Sequence, residues 1–183
     1  IQYGSNKLIE AGFNSPFPDE YWGRIIYICP YCLYYFNCKF ELEFHSQVCQ
    51  MSHPPGDEIY RDDKLSVFEL DPKKDYRYCY NLCMISNCYL DHKFLGVDLN
   101  VFNFYVLCER NKDKFGLYMC GYFSKVKNQK PTDICAYDNL SCIMVLPIAA
   151  GNDYGKFLID ISYKLSIKEG RQGTPGRPFS DGG

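Results

Sequence analysis

The chain has 183 residues, of which 46% are hydrophobic and 23% are charged, and its formal net charge is -2. This composition is typical of a folded chain with one main domain and excludes intrinsic disorder, while a charge so close to zero gives no overall attraction to nucleic acid. No apolar run is long enough for a transmembrane helix, and the first residues lack the pattern of a signal peptide, so we expect a soluble protein without membrane contact.

The number and spacing of the cysteines indicate the cellular compartment of the protein. The chain has eleven cysteines, an odd number, and most of them are irregularly spaced. Disulfide-bonded secreted domains usually have an even number at regular spacing. We therefore expect reduced thiols in a cytosolic or nuclear protein.

A metal-binding pattern follows an N-terminal segment of residues 1–23. Within residues 24–53, Cys29, Cys32, His45 and Cys49 are spaced as C-x2-C-x12-H-x3-C. A hairpin and a helix can bring ligands at this spacing around one tetrahedral zinc ion, which predicts a C2HC zinc finger. His53 could compete as a ligand, but its distance from His45 exceeds the usual spacing, so Cys49 is preferred.

The second half of this finger has the pattern of a helix. Phe36, Phe40 and Phe44 are spaced i, i+4 and i+8, and this apolar stripe leads to His45. The metal is therefore expected to serve folding first.

The connector His53-Pro54-Pro55-Gly56 leads into a main body over residues 54–183. Alternation at Leu65 and Val67 predicts a strand from Lys64 to Leu70 with one mixed face. A helix is predicted from Tyr80 to His92 because its apolar residues share one face. Those residues are Leu82, Ile85, Tyr89 and Leu90.

Three strands and a helix are predicted next. The strands are rich in aromatic and branched residues and cover Phe104 to Cys108, Leu117 to Phe123 and Ser141 to Leu146. Pro147 closes the last strand, and a loop over residues 148–153 leads into an amphipathic helix from Tyr154 to Lys168. Gly170 stops this helix, and the tail over 172–183 has no periodicity.

On these segments the chain resembles the MYST lysine acetyltransferases, which modify histone tails with acetyl-CoA. The matching segments are Ser15-Pro16-Phe17-Pro18, the finger, residues 53–61, Ser66-Val67-Phe68-Glu69, Asn81-Leu82-Cys83, Leu90-Asp91-His92-Lys93, residues 104–107, Gly121-Tyr122-Phe123-Ser124-Lys125, residues 141–144, Leu146-Pro147, residues 154–160 and Pro178-Phe179-Ser180-Asp181. The resemblance spans nearly the whole chain.

This resemblance implies a mixed α/β (α+β) fold, with an acetyltransferase, GNAT-like core behind the N-terminal C2HC finger. Zinc and acetyl-CoA are the implied cofactors. The implied partners are histone tails or nucleosomes and subunits of a chromatin-modifying complex in the nucleus, without sequence-specific DNA binding. The resemblance also implies that the core over 54–183 is incomplete, because the family's domain continues into a helical C-terminal lobe.

The same resemblance implies a set of site residues. Cys142 matches the family's cysteine beside the acetyl group, although by residue type alone it is more often a buried structural cysteine. The residues implied to bind the cofactor are Ile143, Met144, Val145, Ala150, Gly151, Asn152, Asp153, Tyr154, Gly155, Lys156 and Ser180.

The position of the family's general base is occupied by glycine. Thr174-Pro175-Gly176-Arg177-Pro178 matches a motif whose third residue is glutamate in the family, and Gly176 has no side chain to accept a proton. A lost general base typically slows a reaction by about 10²- to 10⁴-fold. Glu169 and Asp181 are the nearest acids in sequence, but neither stands at the matching position, and both are typical of solvated surface charges.

The phosphate-binding loop also departs from the family pattern. A basic residue is replaced by Asn152 or Gly151, and the glycine before the tyrosine is replaced by Asp153. An aspartate just before a helix tends to cap its first N–H groups, and its charge would repel a pyrophosphate. We therefore expect weak acetyl-CoA binding.

A third departure concerns a lysine that becomes acetylated on the family's own enzymes. The matching residue is Asn87, which cannot carry that modification. Its loss could alter substrate access, and Asn87 could equally be an ordinary polar helix residue.

Two functions follow from these residues. The first is a MYST-type lysine acetyltransferase with impaired catalysis, and the second is an inactive acetyltransferase fold that acts as a chromatin interaction scaffold. A nucleic-acid role is weakest, because its basic residues are typical of a solvated helix face. These are Lys156, Lys164, Lys168, Arg171 and Arg177.

Overall fold

The computed structural model describes residues 1–4, 8–90, 98–110, 116–127, 138–171 and 173–174. The strands are β1 (Gln2–Tyr3), β2 (Tyr27–Ile28), β3 (Tyr35–Phe36), β4 (Asp57–Arg61), β5 (Leu65–Leu70), β6 (Phe102–Arg110), β7 (Leu117–Val126) and β8 (Cys142–Val145). The helices are α1 (Lys39–Val48), α2 (Pro72–Asn87) and α3 (Tyr154–Lys168). The predicted mixed α/β fold is confirmed.

The main body is an antiparallel sheet with the strand order β4-β5-β6-β7-β8. Alternate residues of its strands contribute to two apolar clusters, one containing side chains of α2 and the other containing side chains of α3. The two helices therefore cover opposite faces of the sheet, which excludes water from both sides of its central strands.

Strand β5 is confirmed, and its face with Leu65 and Val67 is mixed as predicted, because that face also carries Glu69, which is only partly buried. Phe68 and Leu70 pack in the α2 cluster, whereas Leu65 and Val67 pack in the α3 cluster. Because β5 lies between β4 and β6, both of its faces are buried, and even Ser66 is inaccessible to solvent.

Helix α2 begins eight residues before the predicted start. Asp71 caps it, since the side chain accepts a hydrogen bond from the backbone N–H of Lys73 at 2.9 Å, and Pro72 stands in the first turn. The backbone at Asp75 is not helical, so the apolar periodicity begins only beyond this kink. The helix ends at Asn87, and the predicted end at His92 lies outside the described residues.

The three strands predicted after α2 are confirmed as β6, β7 and β8, with β6 and β7 longer than expected. The prediction missed β4, an exposed strand at one edge of the sheet that is rich in charged residues. Helix α3 is confirmed, and Gly170 follows its C-cap with a φ of 70° in the left-handed region.

The finger packs directly on the main body. The Tyr3 hydroxyl donates hydrogen bonds to the carbonyls of Pro30 and Met119, both at 3.0 Å, and the N–H of Leu117 donates to the carbonyl of Ser52 at 2.6 Å. Finger residues belong to the same apolar cluster as α2. The boundaries at residues 23 and 53 stay predictions.

The helices in the described ranges were also compared with the dimensions of a bilayer. None of these helices is long and apolar enough to cross a membrane.

Candidate functional site

The four predicted metal ligands lie together in the finger. The ligand atoms of Cys29, Cys32, His45 and Cys49 are all within 4.8 Å of one another. Cys29 follows β2, and a tight turn with Leu33 at a φ of 60° carries Cys32 back toward it. His45 lies in α1, and Cys49 caps that helix by donating its N–H to the His45 carbonyl.

These donors fit a tetrahedral zinc ion. Zinc–sulfur bonds of about 2.3 Å place sulfur ligands about 3.8 Å apart, and Cys32 Sγ lies 3.2 Å from His45 Nε2. His53 lies outside this cluster, because its ring stacks on Phe68 with centroids 5.3 Å apart and its Nδ1 lies 2.7 Å from the Pro54 carbonyl oxygen. The geometry therefore favours Cys49 over His53.

The helix in the finger is confirmed, but its apolar stripe is not the buried face. Phe36 lies in β3, and Phe40 and Phe44 are 72% and 61% exposed. Leu42 is the buried residue of α1. The spacing predicted the helix correctly but not which of its residues is buried.

Cys142 is the first residue of β8 and pairs with Ser124 of β7. It is partly buried and packs against the α2 cluster, together with its face neighbour Met144. Cys142 therefore faces the α2 side of the sheet, and Ile143 between them faces the α3 side.

Glu169 lies on the other side of the sheet, where its carboxylate is exposed to solvent but paired with basic side chains. Its carboxylate accepts a hydrogen bond from Lys125 at 2.7 Å and also bonds to Arg171. Lys125 follows Ser124 in β7, so its side chain points to the α3 face, where it also donates to Ser166 at 3.1 Å. Glu169 is therefore held away from the face that carries Cys142.

The electrostatics of this pair also argue against a role for Glu169 as a base. Burial alone would raise the pKa of Glu169, but the hydrogen bonds from Lys125 and Arg171 lower it below its ordinary value of 4.5. A carboxylate with a lowered pKa is a weak proton acceptor. Gly176 and Asp181 lie outside the described residues.

The backbone just before Gly176 can nevertheless be placed. The N–H of Asn139 donates to the carbonyl of Thr174 at 2.9 Å, and Thr174 forms a parallel bridge with Asp138. The chain that follows α3 therefore returns beside the segment that leads into Cys142.

The loop between β8 and α3 contradicts one expectation. Asp153 has a left-handed backbone with a φ of 57°, and its side chain makes no capping hydrogen bond. An N-cap side chain needs an extended backbone to reach the first N–H groups. The carboxylate instead pairs with the Lys156 ammonium at 2.9 Å, so the predicted capping is wrong.

The first turn of α3 is therefore open. Phe157 N–H donates to the Asp153 carbonyl at 3.0 Å, whereas the N–H groups of Tyr154, Gly155 and Lys156 have no acceptor in the described part of the chain. A side-chain carbon at Gly151 would meet nothing within 4 Å. Asn152, in the position of the lost basic residue, donates its side-chain N–H to the Ala149 carbonyl at 3.0 Å.

The remaining cofactor candidates are placed as follows. Residues 143–145 belong to β8, which forms an edge of the sheet among the described residues, so part of its backbone is free for a ligand. Ala150 follows the one-turn helix Pro147–Ala149. Ser180 lies outside the described residues.

Asn87 is the last residue of α2 and is only 5% exposed. Its Nδ2 has no hydrogen-bond partner in the described part of the chain. The position matched to a modifiable lysine is thus occupied by a buried amide.

Sequence reasoning missed two charged residues that the structure places at the ends of strands. Lys125 is buried beside α3, and Glu109 accepts a hydrogen bond from Tyr154 at 2.6 Å. The sequence signal that could have indicated these residues is a charged residue at the end of an otherwise apolar strand, as in Phe104 to Glu109.

Comparisons with known proteins agree with this geometry. The family model described as the MOZ/SAS family matches residues 53–183, and the model described as the MYST family zinc finger domain matches residues 1–49. The sequence is 49% identical over 174 residues to histone acetyltransferase of the MYST family 2 from Arabidopsis thaliana, covering 94% of this chain and 38% of that protein.

A more distant relative is also similar over nearly the whole chain and is also named a histone acetyltransferase. The sequence is 41% identical over 182 residues to histone acetyltransferase MOF from Drosophila melanogaster, covering 99% of this chain and 21% of that protein. The chain thus spans less than two fifths of the length of either relative. The resemblance stated from the motifs is confirmed.

Zinc content tests the ligand set. We expect one zinc ion per chain, and replacement of Cys49 by alanine should weaken zinc binding by more than about 100-fold, because even outer-shell losses cost about 10- to 100-fold. Elemental analysis and chelator competition measure both quantities. The control is His53→Ala, which should keep its zinc; loss of zinc from that variant with retention in Cys49→Ala would contradict the assignment.

The pair between buried Lys125 and exposed Glu169 predicts a pH-dependent stability. Side-chain exposure is 3% for Lys125 and 37% for Glu169, so solvent screens part of the attraction. We expect Glu169→Gln to lower the free energy of unfolding by about 1–2 kcal/mol at pH 7. Denaturant titration measures the difference.

The pH dependence has a defined sign. Because the folded-state pKa of Glu169 is lowered, its stabilisation is complete above the unfolded pKa and is lost as pH falls through the folded pKa. The difference in the free energy of unfolding between the unmodified protein and Glu169→Gln should therefore disappear as the pH falls. Glu43→Gln, which removes an exposed pair with Lys39, should change stability little, and equal stability of Glu169→Gln and the unmodified protein at pH 7 would refute the prediction.

Proposed function

The chain belongs to the MOZ/SAS family, and we propose that it is the catalytic region of a MYST-type protein lysine acetyltransferase that uses acetyl-CoA and has impaired catalysis. The observation that carries this proposal is the arrangement of an edge strand bearing Cys142, a short loop and an uncapped helix N-terminus. Histone tails or nucleosomes are the proposed substrates, since the relatives are named histone acetyltransferases. A nuclear location and subunits of a chromatin-modifying complex follow from that proposal.

Acetyl-CoA binding is supported by backbone groups. The open N–H groups of Tyr154, Gly155 and Lys156 point out of the first turn of α3, where the helix dipole favours the negative charge of a pyrophosphate. The free backbone of residues 143–145 would hold the rest of the cofactor, and Ala150, Gly151, Asn152 and Ser180 would line the site.

The affinity for acetyl-CoA is expected to be low because a negatively charged side chain lies at the proposed pyrophosphate site. Asp153 places a carboxylate beside the open N–H groups and also neutralises Lys156, the basic residue of the turn. Because Asp153 does not cap the helix, the expected low affinity depends on the charge of this carboxylate and on the replacement of a basic residue by Asn152.

Turnover is limited by proton acceptance. A substrate lysine has a pKa of about 10.4 in solution, so its ammonium must lose a proton before the nitrogen attacks the thioester carbon and expels the CoA thiolate. The position that matches this base in the family is Gly176. Glu169 is paired with Lys125 and Arg171 on the face of the sheet opposite to Cys142. Gly176 also supplies no side chain that could activate the thiol of Cys142 as a nucleophile.

The alternative function is an inactive acetyltransferase fold that acts as a chromatin scaffold. Two observations support it, the glycine at the base position and the exposed aromatic side chains Phe40 and Phe44 on the finger. Exposed apolar side chains of this size are common at protein contacts.

Replacing Asp153 tests the cofactor site. Asp153→Asn should keep the left-handed backbone, which asparagine tolerates, while removing the charge. We expect the acetyl-CoA Kd to fall by about two- to fivefold, the size of a charge effect at a helix terminus. Titration calorimetry measures it.

The matched control is Asp160→Asn, which removes another α3 aspartate paired with a lysine, Lys164, at 2.7 Å. This variant should bind acetyl-CoA as the unmodified protein does. An Asp153→Asn protein with unchanged affinity would remove the support for a pyrophosphate at this turn.

Restoring the base tests the catalytic proposal. Gly176→Glu should raise the rate of acetyl transfer to histone peptides by about 10²- to 10⁴-fold. The rate is measured as the transfer of labelled acetyl groups from acetyl-CoA to the peptides. Arg177→Glu adds a carboxylate one residue away and should not raise it, and an unmodified protein as fast as Gly176→Glu would show that another group accepts the proton.

A further inference from the structure

Several side chains contact the carboxylate of Glu109 at one end of the sheet. It lies near the end of β6, and its side chain is 17% exposed. The Tyr154 hydroxyl donates to Glu109 Oε2 at 2.6 Å, and Lys64 Nζ lies 3.5 Å from Oε1. The Cys120 thiol of β7 also lies 3.9 Å from Oε2 of this carboxylate. One side chain thus links the starts of β5, β7 and α3.

Tyr154 joins this cluster to the proposed cofactor turn. It is the first residue of α3, it is 4% exposed, and it stands between Asp153 and Gly155. Lys64 Nζ lies over its ring at 5.1 Å from the centroid, a cation–π contact. Burial raises the pKa of Tyr154 well above its ordinary value, and the bond to Glu109 raises it further, so the hydroxyl is protonated and donates.

The backbone beside Tyr154 needs such a restraint. Asp153 has a φ of 57°, a left-handed conformation that costs a non-glycine residue free energy and persists where neighbouring contacts hold it. The Asp153 side chain is exposed and pairs with Lys156 alone among the contacts described for it. The buried Tyr154 hydroxyl is therefore a directional contact between this turn and the sheet, in addition to the packing of the Tyr154 ring in the α3 cluster.

We propose that Glu109 and Tyr154 are positioning residues, whose hydrogen bond sets the direction of the first N–H groups of α3 toward the pyrophosphate of acetyl-CoA. Neither side chain needs to touch the ligand. This role rests on the proposed binding of acetyl-CoA at the same turn. The hydroxyl of Tyr154 acts through the main chain of the residues on either side of it.

Tyr154→Phe isolates the hydroxyl, because the ring and its contact with Lys64 remain. We expect amide hydrogen exchange at the start of α3, over residues 154–157, to become about tenfold faster, in line with the loss of one hydrogen bond to a charged group. The Kd for acetyl-CoA should rise by about tenfold as well. Exchange elsewhere and zinc content should not change.

Two further variants separate positioning from general stability. Tyr105→Phe removes another buried phenol that donates to a carboxylate of the sheet, Glu69 at 2.8 Å, so exchange at residues 154–157 and the affinity for acetyl-CoA should match the unmodified protein. Glu109→Gln keeps an acceptor for Tyr154 and should retain most of both properties, whereas Glu109→Ala should behave like Tyr154→Phe.

The results separate this inference from the proposed function. If the unmodified protein does not bind acetyl-CoA, the proposed cofactor site fails, and hydrogen exchange still decides whether Tyr154 holds the turn. Unchanged exchange at residues 154–157 in Tyr154→Phe, or an equal increase along the whole chain, would overturn the positioning role. Faster exchange at the turn with unchanged affinity would overturn the link to the pyrophosphate.

Discussion

Strand β7 is the element on which both parts of the molecule depend. The finger contacts its beginning, where Leu117 donates its N–H to the Ser52 carbonyl, and β8 pairs with its second half, where Ser124 stands opposite Cys142. Gly121 permits the close pairing, because a side-chain carbon there would lie 2.6 Å from the Met144 carbonyl oxygen. A metal that orders the finger therefore also supports the strand against which the site is built.

The alternation of side chains along the sheet separates the chemistry of its two faces. Cys142 faces α2, whereas the carboxylates of Glu109 and Glu169 are engaged with groups on the α3 side. Each carboxylate is used to hold a structural element, α3 or the chain after it. Both carboxylates are engaged in these contacts, which supports the proposal that neither replaces a base at Gly176.

Much of this architecture could be predicted from the sequence, because the informative signals are local. Ligand spacing predicted the metal cluster, and alternation predicted β5. Enrichment in aromatic and branched residues predicted β6 to β8, and apolar periodicity with Gly170 predicted α3. The start of α2 was missed because its signal, Asp71 before Pro72, is a cap rather than an apolar pattern. Strand β4 was missed because an edge strand needs few apolar residues.

The errors at the site have a different cause. The capping by Asp153 was inferred from residue type, but a side chain caps a helix only if its backbone is extended, and the sequence does not show φ. Glu109 and Lys125 are separated from their partners by 45 and 44 positions. Such long-range polar contacts depend on the register of the whole sheet, which no local pattern contains.

Binding and turnover should respond differently to sequence change in this chain. The proposed cradle consists of main-chain N–H and C=O groups of β8 and α3, which every residue except proline supplies, so substitutions at Asn152 and Asp153 alter the charge of the site but not its donors. The base is a single side chain, and a neutral main-chain group cannot take its place as a proton acceptor. Loss at Gly176 therefore affects the proton transfer alone, and we expect catalysis to have declined further than cofactor binding.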